Sequence, residues 1–170
     1  LPNKEHPSEE AAMNIFNAGD VIQFAVRIEE DGEAFYRKAA LATEDKDARD
    51  LFNLLTIEEA KHKIIFQDML SKGEVVMPAE TYDGEYAVYL RDYIDGRVIF
   101  TRKVEGEIVS DAKDALSAIT FAMQREADSI LYYHEVKRFV AGRHYDVIDK
   151  IITEERKHFS ELSELQKKYM

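Results

Sequence analysis

Four stretches of this chain place a glutamate inside an otherwise apolar helical stripe. Ile22, Ala25, Glu29, Gly32 and Tyr36 recur at spacings of 3, 4, 3 and 4 residues, and Ile119, Ala122, Glu126, Ser129 and Tyr133 repeat them. Phe52, Leu55, Glu59, His62 and Phe66 keep the same spacing, as do Ile148, Ile151, Glu155, His158 and Leu162. That period puts each set on one helix face, in the register of a bundle core. Glu59 follows Glu29 by 30 residues and Glu155 follows Glu126 by 29. The chain therefore reads as a duplicated helical hairpin, with one seam acid per helix and one Glu-x-x-His per hairpin.

A bundle core is where charge is least welcome. A buried carboxylate must be paired, protonated or bound to a cation. No Lys or Arg lies on the four seams to neutralise the acids. Two divalent cations would match four carboxylates in charge. Carboxylate bridges with one terminal imidazole per ion suit iron or manganese better than calcium or magnesium. A Glu from each of two helices plus Glu-x-x-His from each of the other two is the di-metal carboxylate pattern of helical bundles. The expected ligands are Glu29, Glu59, His62, Glu126, Glu155 and His158, holding two iron ions, with manganese or zinc as substitutes. Tyr36 and Tyr133, two turns beyond Glu29 and Glu126, are either core aromatics or phenol donors to the ligating carboxylates.

The periodicity predicts helices over about Asp20–Ala42, with Asp20 as N-cap, Asp45–Leu70 ended by Lys72-Gly73, Asp111–Val140 ended by Gly142, and Tyr145 to near Met170. Short links make each hairpin antiparallel, and a connector over 74–110 joins the second helix to the third. Residues 85–93 are expected to form a short helix within it. Two hairpins and one crossover give an all-α, ferritin-like antiparallel four-helix bundle, a single domain over 1–170. Residues 1–19 read as a leader segment, with a helical turn near Glu9–Phe16.

Composition removes other chemistries. The formal charge of −11 argues against nucleic acid and against an anionic membrane surface. No cysteine is present, which excludes disulfides, thiol catalysis, iron–sulfur clusters and Cys-ligated zinc. No apolar run reaches membrane-spanning length, and Leu1–Glu10 has no signal-like apolar core, so a cytoplasmic protein is expected. Phosphate-binding glycine loops, serine-nucleophile elbows and His-Glu-x-x-His are absent.

At Ala25–Tyr36, Glu58–His62, Ala122–Tyr133 and Glu154–His158 the sequence resembles the rubrerythrin branch of the ferritin-like superfamily, over about residues 20–168. The resemblance implies that the six seam residues are di-iron ligands, with Glu59 and Glu155 as bridges. It implies reduction of hydrogen peroxide or dioxygen. With no rubredoxin-type module in the cysteine-free chain, electrons would come from a separate donor protein. Full rubrerythrins carry an extra Glu at the position of Ser129, so the ligand exchange that such a Glu supports is not expected here. Iron handling of the storage type, or a metal-stabilised interaction module, are the alternative readings. A ferritin cage is not expected, because the fourth helix runs nearly to Met170.

Gly32 and Ser129 are expected to leave room for an oxidant. Glu58 and Glu154 are expected to face outward or sideways, and Glu30, Asp31 and Glu33 to be solvated. His134 is expected at the surface or in helix packing, and His144 and His6 in solvent. A homodimer or larger assembly is expected, because the connector is rich in Val75, Val76, Tyr82, Tyr86, Tyr89, Tyr93, Ile94 and Phe100. Members of the resembled family associate, in some cases by exchanging helices.

Overall fold

The computed structural model describes residues 18–78, 85, 88–90 and 115–170. Within them lie four long helices: α1 Ala18–Ala42, α2 Lys46–Ser71, α3 Ala115–Val136 and α4 Tyr145–Gln166. The expected turn at Glu9–Phe16 and most of the connector, including most of the expected helix at 85–93, lie outside the described residues. Glu85 and Val88–Leu90 are helical. No helix among the described residues is long and apolar enough to cross a membrane.

The helix ends follow local chemistry. Asp45 caps α2, its carboxylate accepting from the Ala48 N–H at 2.8 Å and so satisfying one of the unpaired donors of the first turn. Gly73, at φ 64°, lets the chain reverse after α2, and the N–H groups of Gly73 and Glu74 close onto Leu70 and Met69 carbonyls. Asp20 is not the cap of α1. The helix already starts at Ala18, so the expected leader ends by residue 17 and Asp20 sits in the first turn, where an acid suits the helix dipole. The third helix is also shorter than its periodicity suggests. It tightens into a 3-10 turn over Lys137–Phe139, and Val140 is extended and bridges to Val75. Val76 donates its N–H to the Phe139 carbonyl at 2.8 Å. Pairing with the exit of α2 thus ends α3 before Gly142 does.

All twenty seam residues are buried. The core they build falls into two apolar layers. One joins the first half of α1, around Ile22 and Ala25, to Phe66 of α2, Tyr133 of α3 and Ile148 and Ile151 of α4. The other joins Tyr36 and Ala39 of α1 to Phe52 and Leu55 of α2, Ile119 and Ala122 of α3 and Leu162 of α4. The layers require α1 and α4 to run one way and α2 and α3 the other, the arrangement that a crossover between α2 and α3 produces. The glutamates and histidines fall between the two layers, at mid-bundle.

Candidate metal centre

Each helix delivers its seam acid to the same level. Glu29, Glu59, Glu126, Glu155, His62 and His158 are all buried. Glu29, Glu59, His62 and Glu155 offer one ligand atom each within 4.8 Å of one another, and so do Glu59, Glu126, Glu155 and His158. All six sequence-derived ligands are thus brought together, in two groups that share Glu59 and Glu155. His62 Nδ1 lies 2.8 Å from Glu155 Oε1 and 3.7 Å from Glu29 Oε2. His158 Nδ1 lies 3.1 Å from Glu155 Oε2, 3.6 Å from Glu59 Oε1 and 3.8 Å from Glu126 Oε2. The two imidazoles stack with centroids 5.9 Å apart.

The tyrosines are phenol donors. Tyr36 of α1 donates to Glu126 of α3, and Tyr133 of α3 donates to Glu29 of α1. Each reaches across the bundle to the acid of the other repeat. Burial and the nearby carboxylates push both phenols well above their ordinary range, so they stay protonated donors.

The carboxylates suffer the same surroundings. Burial first, then the other glutamates, holds Glu59 and Glu126 well above the usual carboxylate range. Burial opposes the charged form of His62 too, but its contacts with Glu155 and Glu29 outweigh this and push it up to about 12. Glu155, although buried, is held low by its hydrogen bond with His158 and by the charge of His62 close beside it. Without a cation, the cluster therefore keeps protons to limit its own repulsion.

The donor set fits metal. Glu29 Oε2, Glu59 Oε1, His62 Nδ1 and Glu155 Oε1 are buried and lack an aligned hydrogen-bond partner. Although His62 Nδ1 and Glu155 Oε1 lie close together, their contact is off the line of a hydrogen bond. Leaving such groups unsatisfied costs about 1–3 kcal/mol each, and cations among them would use every one. Carboxylates mixed with imidazole are the donors of transition-metal sites.

Two expectations for nearby residues are corrected, and a third is narrowed. Of outward and sideways, the two settings expected for it, Glu154 takes the sideways one. It is half-buried, and its Oε2 lies 2.9 Å from His62 Nε2, fixing the ring so that Nδ1 faces the cluster. The space beside Gly32 is not open to an oxidant, because a β-carbon there would collide with Glu59 Oε2 and lie 3.0 Å from an Arg125 nitrogen. His144 is half-buried, with Nε2 2.7 Å from Glu74 Oε2, rather than bathed in solvent. Glu58 and Glu33 are also half-buried and pair with Lys61 and Lys63, while His134 is exposed beside Arg156. His6 lies outside the described residues.

Arg125 was missed. Its side chain is fully buried, donates to the Ile28 carbonyl at 3.0 Å, and lies 5.7 Å from the Phe35 ring centroid. No basic residue lies on the seams themselves, as expected, but Arg125 sits one residue off the third and is buried beside Gly32. The signal was present, since Ala118, Phe121, Arg125, Asp128 and Tyr132 form a second stripe of the same 3-4-3-4 spacing.

A four-helix bundle with crossed hairpins and a buried carboxylate–histidine layer defines a ferritin-like carboxylate protein. The chain belongs to the rubrerythrin family, whose model matches residues 20–166. Its fold is similar to that of a crystal structure from Thermotoga maritima described as a ferritin-like diiron-carboxylate protein. The two share 24% identity, with 90% of this chain and 96% of that chain covered and a TM-score of 0.68. That likeness establishes the common fold. No curated protein matches the chain.

Proposed function

We propose that the cluster holds two iron ions and reduces hydrogen peroxide or dioxygen, with electrons from a separate donor protein. The observation that carries this is the pair of four-residue groups sharing Glu59 and Glu155. Glu29 and His62 would hold one ion, Glu126 and His158 the other, and Glu59 and Glu155 both. When bound, two redox-active ions would supply the two electrons that cleave the O–O bond of peroxide, or that take dioxygen to the level of peroxide.

The protein's own part is positional and electrostatic. Four glutamates supply the negative charge that confines two cations. Glu154 holds the His62 ring in a fixed orientation. Tyr36 and Tyr133 hold one oxygen each of Glu126 and Glu29, leaving the other oxygens for metal. The apolar layers on either side exclude water from the level of the acids. The acting unit is a homodimer or larger assembly. Its support is the apolar stripe Leu54, Ile57 and Ile64 left exposed on α2.

Metal analysis and stopped-flow mixing of the reduced, iron-loaded protein with peroxide test this reading. Two irons per chain, oxidised rapidly by peroxide and reduced again by a donor, are expected. Many irons held per chain without turnover would replace it with iron handling. A metal-bound protein inert to peroxide would leave a structural role for the ions.

A further inference from the structure

The two hairpins match closely, so a departure from the repeat is informative. Positions 97 residues apart correspond in α1 and α3: Ile22 with Ile119, Ala25 with Ala122, Glu29 with Glu126, Tyr36 with Tyr133. By that correspondence Arg125 stands where the first repeat has Ile28. The two residues touch, because Arg125 Nη2 donates to the Ile28 carbonyl at 3.0 Å. A buried permanent cation is thus built into one repeat and not into the other.

Its position relative to the cluster is lopsided. The Arg125 guanidinium lies beside Gly32, in the niche that Glu59 Oε2 also enters. Arg125 directly precedes Glu126 and packs against Phe35, the neighbour of Tyr36. Phe35 belongs to the apolar layer of Tyr36, Ile119 and Leu162, and Leu162 lies one turn beyond His158 on α4. The opposite half is built on Glu29, Tyr133 and His62, and His62 lies one turn before Phe66, in the other apolar layer with Tyr133. A fixed positive charge inside a low-dielectric bundle repels a cation more strongly the nearer that cation lies.

We propose that Arg125 makes the two metal positions unequal, so that the Glu29–His62 position fills first and the Glu126–His158 position second and more weakly. Arg125 is a positioning residue in this role. It touches neither ion, and it biases which of two chemically matched ligand groups a first cation occupies. Both groups consist of three carboxylates and one imidazole, so donor number alone would leave them equal. A protein with an ordered first site can hold one tightly bound ion while the second exchanges. This rests on the reading that the cluster binds two ions.

Zinc is a suitable probe, because it is redox-silent and accepts this donor set. Anomalous diffraction from crystals of the whole chain loaded with one equivalent of zinc reads the two positions separately. The expected result is occupancy at the His62 position exceeding that at the His158 position by about tenfold. Equal occupancy, or the reverse order, overturns the proposal without need of any variant. In Arg125→Gln the preference should shrink towards parity, and in Arg125→Lys it should persist. If Arg125 only packs, Arg125→Gln lowers stability and leaves the order of filling unchanged, which also overturns the proposal. A wild-type chain that binds no zinc at the cluster removes the two-ion reading as well. One that binds zinc at both positions without preference removes only the role of Arg125.

Discussion

Tyr133 on α3 donates its phenol proton to Glu29 on α1, 104 positions away in sequence, and Tyr36 returns the same bond from α1 to Glu126. The pair locks the two repeats together through the acids that neither could otherwise bury. Tyr133→Phe would leave a buried Glu29 oxygen without its donor. A loss of about 1–3 kcal/mol is expected on denaturant unfolding. Tyr36→Phe should cost a similar amount, by the repeat. A Tyr133→Phe chain as stable as wild type would show the bond to be without effect.

Glu154 should matter for metal although it lies outside both ligand groups. Glu154→Gln or Glu154→Ala frees the His62 ring from its outer carboxylate. Zinc affinity at that position should fall about 10–100-fold, as measured by competition with a chelating dye. Unchanged affinity would mean that packing alone orients His62.

Gly32→Ala sets two effects against each other. Alanine favours a helix over glycine by about 1 kcal/mol, which alone would stabilise α1. The new methyl group, however, would sit in the place of Glu59 Oε2. Glu59 must then swing away, so stability should change little while the second metal equivalent is lost or greatly weakened. Gly142→Ala, which meets nothing within 4 Å, is the control that should keep both equivalents.

Metal-free protein should respond to pH in an unusual direction. Glu59 and Glu126 have raised folded-state values. They contribute stability that is full below the ordinary carboxylate value and lost as pH rises through their raised ones. His62, raised to about 12, contributes throughout that window. Glu155 is lowered, so its contribution is lost only at much lower pH. The apo form should therefore melt at a higher temperature near about pH 5.5 than near about pH 7.5. The loaded form should show the opposite trend, because cations must displace those protons. Thermal melts at both values, with and without zinc, decide the matter, and equal apo melting temperatures would contradict the proton-holding cluster.

Self-association has a simple test. Leu54, Ile57 and Ile64 are exposed along one stripe of α2. A sedimentation species near twice the chain mass of 19.6 kDa or above is expected. A concentration-independent species at the chain mass would refute it. Ile64→Glu should weaken the larger species if α2 forms the contact.

The convergence of the six acids and histidines was legible because a carboxylate in a heptad-like stripe contradicts the hydrophobic pattern around it, and the contradiction recurs four times. The topology was legible because link lengths leave few alternatives. Arg125 was harder to see. Its aliphatic stem and planar head fit an apolar stripe, so a buried arginine one step off the seam resembles any surface charge until the two repeats are laid side by side. For Glu154 the position before the seam leaves outward and sideways both open, and acids at both Glu58 and Glu154 hinted that this position has a use. The early end of α3 depends on pairing between Val75 and Val140, a contact between distant segments that no local pattern encodes.

Each group of four takes three of its members from one hairpin and one from the other. Neither hairpin alone can surround a cation, and both groups fail together if the hairpins part. Bound ions would therefore act as rivets across the seam between the two halves of the molecule. Two separate peptides, each carrying one hairpin, should find each other only when metal is present and part again when a chelator removes it. The same logic permits a simpler relative, in which two identical hairpins meet about a twofold axis and complete between them what this chain now writes twice.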